Sequence, residues 1–152
     1  DLRVALVASD PETAERLSSR ISGGITWVSH LLQRLAHAML TDPDTAAQIR
    51  AAGEHYAERN AACAAQLRRV GLASESRDGL NVWVDTGANA AEVQTRLMRR
   101  GWIAREGSSF ALERPSPGQE RHLRLTVHTL DDDELAQLAA DLADAAGNDV
   151  AG

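Results

Sequence analysis

The chain has 152 residues, the size of one ordinary domain, and at 43% hydrophobic residues it has enough apolar side chains for a core. A net charge of −6, from 22 acids against 16 bases, argues against a general nucleic-acid binder. All 16 bases are arginine, which excludes any mechanism needing a lysine from this chain, and the single cysteine, Cys63, excludes an internal disulfide or a multi-cysteine zinc site.

The chain opens on Asp1 and runs straight into Leu2-Arg3-Val4-Ala5-Leu6-Val7-Ala8, a near-continuous apolar run of the kind that forms a buried strand. Such a strand needs neighbours, so the expectation is a piece of a longer protein. Asp10-Pro11-Glu12 combines a capping side chain, a proline suited to the first helical position and an acid at the positive dipole end. A short helix is predicted from there to about Ser22, broken by Gly23-Gly24. A second is predicted from about Ile25 to Leu40, with Val28, Leu32, Leu35 and Met39 along one face.

Thr41-Asp42-Pro43-Asp44 ends that helix and starts a third, predicted from about Thr45 to Val70. Ile49, Ala52, Tyr56, Asn60, Cys63, Leu67 and Val70 form its stripe. At about 1.5 Å per residue it is roughly 40 Å long. A helix so long and so rich in alanine is expected to bridge two bodies instead of filling one core.

From Gly71 the pattern changes. Leu80 to Val84 alternates like a strand. Asn89 with Glu92 suits a capping box, and a helix is predicted to Arg100. Trp102 to Arg105 and Ser109 to Leu112 are predicted strands around Glu106-Gly107-Ser108. Arg114 to Glu120 is a predicted loop, and Leu123 to Val127 a strand. Asp131-Asp132-Asp133 starts a final helix with Leu135, Leu138 and Leu142 on one side. The tail after Ala146 is expected to fray. Residues 71 to 146 thus read as a small α+β unit of order β-α-β-β-β-α. There is no apolar run near the roughly 20 residues that span a bilayer. With no basic and apolar signal segment at the start, the expected location is cytoplasmic.

Two arginines stand out. Arg124 lies mid-strand, where alternation puts it on one face with Thr126 and His128. That face is either solvated or aimed at a carboxylate, which the planar arginine fork matches bidentately. Arg3 is the only charge in its apolar strand, and is either an edge residue or a partner for an anion such as phosphate. His30, His37, His55, His122 and His128 form no metal-ligand spacing, and no metal site is expected. Cys63 falls on the apolar stripe and reads as a small buried hydrophobe, not a nucleophile. Asp131 to Asp133 lacks the glycine and ligand spacing of a calcium loop and reads as helix capping. There is no Gly-rich phosphate loop and no Gly-x-Ser-x-Gly elbow.

Three stretches together resemble the carboxyl-terminal half of a fold-type-I pyridoxal-phosphate aminotransferase of class I/II. More narrowly, they resemble the aminotransferase-like domain of MocR-type regulators in the GntR family. The first is Asp1-Leu2-Arg3-Val4-Ala5-Leu6-Val7, similar to the family's Leu-Arg-x-Gly segment, with Ala5 in place of the glycine. The second is Trp27-Val28-Ser29-His30-Leu31-Leu32-Gln33. The third joins Gly79 to Val84, Gly101 to Phe110 and Leu123 to Val127.

The resemblance implies one large-domain strand and helix over residues 1–22 and interdomain helices over 23–70. It implies a small α+β domain with an antiparallel-rich sheet over 71–146, and a tail over 147–152. It implies that Arg3 pairs with the cofactor phosphate and that Arg124 binds the α-carboxylate of an amino-acid or other carboxylate ligand. The family's Schiff-base lysine and pyridinium-pairing aspartate lie upstream. Pyridoxal 5'-phosphate is therefore expected in the full-length parent and not on these residues alone, which supply no catalytic residue. DNA would be reached only through an upstream winged helix, and no membrane partner is expected. A homodimer or other self-association is expected, with self-association through residues 1–40 hiding the apolar faces. Three functions remain open at this stage: the sensor domain of a transcription regulator, part of a genuine aminotransferase, and a cofactor-free interaction module.

Overall fold

The computed structural model describes residues 5–24, 28–76, 79–112 and 118–147. The chain divides into two units, Asp1–Arg50 and Ala51–Gly152.

The first unit holds helices α1 (Pro11–Ile21) and α2 (His30–Thr41) and the start of α3 (Pro43–Arg69). Asp10 caps α1 as its sequence predicts. One carboxylate oxygen accepts from the Thr13 amide at 2.9 Å and the other from the Thr13 hydroxyl at 2.7 Å. These bonds hold the Asp10 carboxyl below its ordinary range. Asp42 does double duty. Its amide donates to the Ala38 carbonyl and closes α2, while its carboxylate takes both the amide and the hydroxyl of Thr45 at 2.7 Å and opens α3.

Helix α2 begins at His30, later than the predicted Ile25, and Ser29 at its cap makes no side-chain bond. The strand expected over Leu2–Ala8 is not found in its described part, since Ala5 to Asp10 is irregular. A strand requires a ladder, and the described residues of this unit contain no other strand with which to build one. Residues 1–4, including Arg3, lie outside the described residues, as do Ile25 to Trp27. Neither α1 nor α2 buries a residue, and Leu31, Met39 and Leu40 stand exposed on α2.

The second unit carries the rest of α3, strands β1 (Ala73–Ser76) and β2 (Asn81–Asp85), helix α4 (Ala90–Met98), strands β3 (Arg105–Glu106) and β4 (His122–Thr126), and helix α5 (Asp132–Ala146). The sheet order is β1-β2-β4-β3, with every neighbouring pair antiparallel. Strand β4 therefore separates β2 from β3, which run parallel to each other.

The order β-β-α-β-β-α corrects the predicted β-α-β-β-β-α. Strand β1 is additional: Ala-Ser-Glu-Ser has no apolar alternation, and it is a strand because it pairs with β2. The strand predicted over Trp102 to Arg105 shrinks to two residues. The one predicted over Ser109 to Leu112 is instead a 3-10 turn, Gly107–Phe110.

One face of the sheet builds the core. Val82 and Val84 of β2 and Leu123 and Leu125 of β4 point to it, and α3, α4 and α5 cover it with Leu67, Leu97 and Leu142 among others. Each such side chain contributes roughly 1.5–3 kcal/mol of burial. Asn89 caps α4 by accepting from the amides of Ala91 and Glu92, but the reciprocal half of a capping box is absent, since Glu92 turns to Arg96 at 3.6 Å. Helix α5 has the full box. Asp131 accepts from the Glu134 amide at 2.8 Å, and Glu134 accepts from the Asp131 amide at 2.9 Å.

Candidate functional site

The alternation that buries Leu123 and Leu125 turns Arg124 to the opposite, open face of the sheet. There the ladder sets its neighbours. Trp83 of β2 stands directly opposite on one side and Arg105 of β3 on the other. Both flank Arg124 on the same face, because directly paired residues share a face.

The 3-10 turn after β3 adds a third neighbour. It lifts Phe110 so that its ring centre lies 4.0 Å from the guanidinium carbon of Arg124. The Phe110 and Trp83 rings meet edge-to-face, with centres 5.7 Å apart and planes at 87°. Gly107 makes the turn possible. A β-carbon there would lie 3.0 Å from the His122 carbonyl oxygen and 3.1 Å from the Trp83 ring.

A cation over an aromatic face is stabilised by about 0.5–1 kcal/mol when exposed and by more when desolvated. Arg124 is half-buried and Phe110 is 41% exposed, so the pair lies between these limits. The contact is made over the ring and leaves the guanidinium N–H donors unused. Among the described residues, no carboxylate or carbonyl accepts from them. A half-buried arginine that is braced by a ring and has no acid partner can receive a carboxylate bidentately.

The rows beside Arg124 are already satisfied. The Thr126 hydroxyl donates to Asn81 at 2.9 Å. Asp85 accepts from the Gly87 amide at 2.9 Å and from Arg121 at 2.6 Å. Burial opposes ionisation of Asp85, but these donors outweigh it and hold the carboxyl below its ordinary range.

His128 does not join Arg124, contrary to the strand alternation. It lies past the end of β4, where its carbonyl accepts from His55 Nε2 at 2.8 Å and its ring meets that of Tyr56 at 5.3 Å. Arg3 lies outside the described residues. Among the described residues, no three His, Cys, Asp or Glu side chains stand together as a metal site. Asp131 caps α5, and Asp132 accepts from Arg59 at 2.9 Å. Cys63 is buried, and burial, opposed by nearby Arg59, pushes its thiol up to about 11, which makes it a poor nucleophile.

Sequence reasoning singled out Arg124 but not Trp83, Arg105 or Phe110. Trp83 could have been found, since it alternates with the buried Val82 and Val84 as Arg124 does with its leucines. Phe110 could not, because its place depends on a turn that the pattern reads as a strand.

A family model described as aminotransferase class I and II matches residues 1–142. A vitamin B6 salvage pathway transcriptional repressor, PtsJ, of Salmonella typhimurium is 40% identical over 142 residues. The match takes in 93% of this chain but only 32% of the repressor, so the chain spans about a third of that relative. Among solved structures, the valine-pyruvate aminotransferase AvtA of Salmonella typhimurium aligns with a TM-score of 0.52 and 20% identity, over 60% of this chain and 26% of that one. This last likeness concerns the fold alone.

Proposed function

Because the chain belongs to the aminotransferase class I and II family, we propose that it is the carboxyl-terminal part of an aminotransferase-like domain that senses an amino-acid or other carboxylate ligand within a MocR-type, GntR-family transcription regulator. The observation that carries the ligand half of this reading is the free fork of Arg124, stacked on Phe110. The similarity to a transcriptional repressor supports the regulator half. On this reading residues 1–22 close a large domain, 23–70 are interdomain helices, 71–146 are a small domain and 147–152 are its tail. The protein then works in the cytoplasm as a homodimer and reaches DNA through a winged helix outside these residues.

The family generally uses pyridoxal phosphate, which serves as an electron sink for bonds at an amino acid's α-carbon. The fit of this chain to that group is partial. With no lysine it offers no covalent attachment point. Its contribution would be anion binding, with Arg3 on the phosphate and Arg124 on the ligand carboxylate. The family's description favours a second reading, in which the parent is an amino-acid aminotransferase. The residues that precede Asp1 in the intact protein decide between the two: a basic winged helix means regulator.

The test is separate titration of cofactor and amino acid against two variants of the intact protein. Arg124→Lys keeps the charge and loses the bidentate fork. It should weaken amino-acid binding by about 1.5–3 kcal/mol and leave the cofactor bound. Arg3→Ala should lower cofactor affinity first. Unchanged amino-acid affinity in Arg124→Lys would show a solvated sheet residue and end the ligand-clamp reading.

A further inference from the structure

The pairing of β3 with β4 sets Arg105 directly opposite Arg124, on the same open face. Like charges in this position repel, and sheets ordinarily avoid them. Neither guanidinium has an acid partner among the described residues. The acid in the same cross-strand row, Glu75, pairs with Trp83 and is itself engaged. It stands two strands from Arg124, roughly 10 Å away by strand spacing. Asp85, in the next row, is held by Arg121 and the Gly87 amide. Glu106, the other residue of β3, pairs with the buried Leu123 on the opposite face and accepts from the Ser108 hydroxyl at 3.2 Å, and Ile103 and Gly107 bring no charge. The result is two adjacent positive charges with no ion-pair partner among the described residues, one beside an aromatic ring and the other exposed on the edge strand.

We propose that Arg105 is a specificity-determining residue of the Arg124 site, and that the site takes a ligand with two negative charges. One charge sits in the Arg124 fork and the second reaches Arg105. The shared chemistry is a dianion, supplied either by a second carboxylate or by a phosphate group. This inference rests on the reading of Arg124 as a carboxylate clamp.

The experiment is an NMR titration of the intact protein, following the arginine Nε–H and the Trp83 indole signals. The probes are propionate, succinate and inorganic phosphate, at fixed ionic strength with chloride as control. One of the two dianions should bind about two- to fivefold more tightly than propionate, the gain that an exposed ion pair allows. Whether succinate or phosphate gains more identifies the source of the second charge, and a gain by either supports the proposal. Arg105→Gln, on an exposed edge position, should abolish the gain, so that the dianions bind no more tightly than propionate. Arg124→Gln should abolish propionate binding itself, with Arg124→Lys as the second variant should the glutamine disturb folding. Equal affinities for all three probes, or a dianion preference that survives Arg105→Gln, overturn this inference and leave the clamp standing. Absence of propionate binding, or binding indifferent to both Arg124 variants, overturns the clamp and this inference with it.

Discussion

The guanidinium carbon of Arg124 lies over the Phe110 ring, 4.0 Å from its centre. The two residues belong to different kinds of structure, a 3-10 turn and a strand, and they meet only because β3 ends after two residues and the chain rises over its neighbour. The fold itself thereby sets the position of the arginine head group.

Removal of the ring should therefore cost binding at least as much as folding. Phe110→Leu leaves an apolar side chain at a 41% exposed position but deletes the cation–π contact. In the intact protein, carboxylate affinity should fall by about 0.5–1 kcal/mol, read by calorimetric titration, with a change in unfolding free energy of similar size or smaller. Unaltered affinity would show that the fork is held without the ring.

Gly107 is the packing counterpart of that stack. Gly107→Ala places a methyl 3.0 Å from a backbone carbonyl and 3.1 Å from the Trp83 ring. The expected loss is about 1–3 kcal/mol in urea unfolding, with Trp83 fluorescence altered. Gly118→Ala meets nothing within 4 Å and serves as the neutral control, within about 0.5 kcal/mol.

Asn60 is fully buried on α3 and donates its amide to the Gly79 carbonyl at 2.8 Å. It ties the long helix to the turn between β1 and β2. Asn60→Ala strands that carbonyl and opens a small void, so unfolding should become easier by about 1–3 kcal/mol, read from the urea midpoint at an unchanged slope.

The Asp85 carboxyl titrates below its ordinary 3.8 in the folded chain. The native state thus holds fewer protons than the unfolded one in that range. The stabilisation is complete well above 3.8 and is lost as pH falls through the native value. Asp85→Asn should cost about 0.5–1 kcal/mol at neutral pH, the small figure reflecting a half-exposed Arg121 partner. The gap between wild type and variant should narrow from about pH 5 to pH 3. A gap independent of pH would rule out the charge as its origin.

Cys63 should resist thiol reagents at neutral pH. Its ionisation is pushed up to about 11 by burial, so the reactive thiolate is scarce and the sulfur is shielded. Labelling should track unfolding, accelerating with urea in step with loss of helix signal. Rapid labelling of the folded chain would contradict this.

The parts of the fold written in local chemistry were readable from the residues. Asp10, Asp42 and Asp131 each announce a helix start, because a cap is decided by the residues within one turn of it. Strands β2 and β4 were readable through their buried alternation. Strand β1 was not, and β3 was read three residues too early and too long, since their pairing partners lie elsewhere in the chain and their own residues show little pattern. The same reason divides the site. Arg124 announced itself as a charge in an apolar strand, whereas Arg105 and Phe110 acquire meaning only from the residues they stand against.

The placement of β4 between β2 and β3 also bears on synthesis. A chain growing from its amino end releases β1 and β2 first, and these can zip as a hairpin. Strand β3 then emerges with no partner, because its neighbour in the sheet of the described residues, β4, begins sixteen residues later at His122. Until then the apolar faces of β2 and α4 lack the cover of β4 and α5, an aggregation-prone interval in which a nascent-chain chaperone would have most to bind. Ribosome-stalled chains ending before His122 would remain protease-sensitive, and those extended past Ala146, with the exit tunnel cleared, would become resistant in a single step.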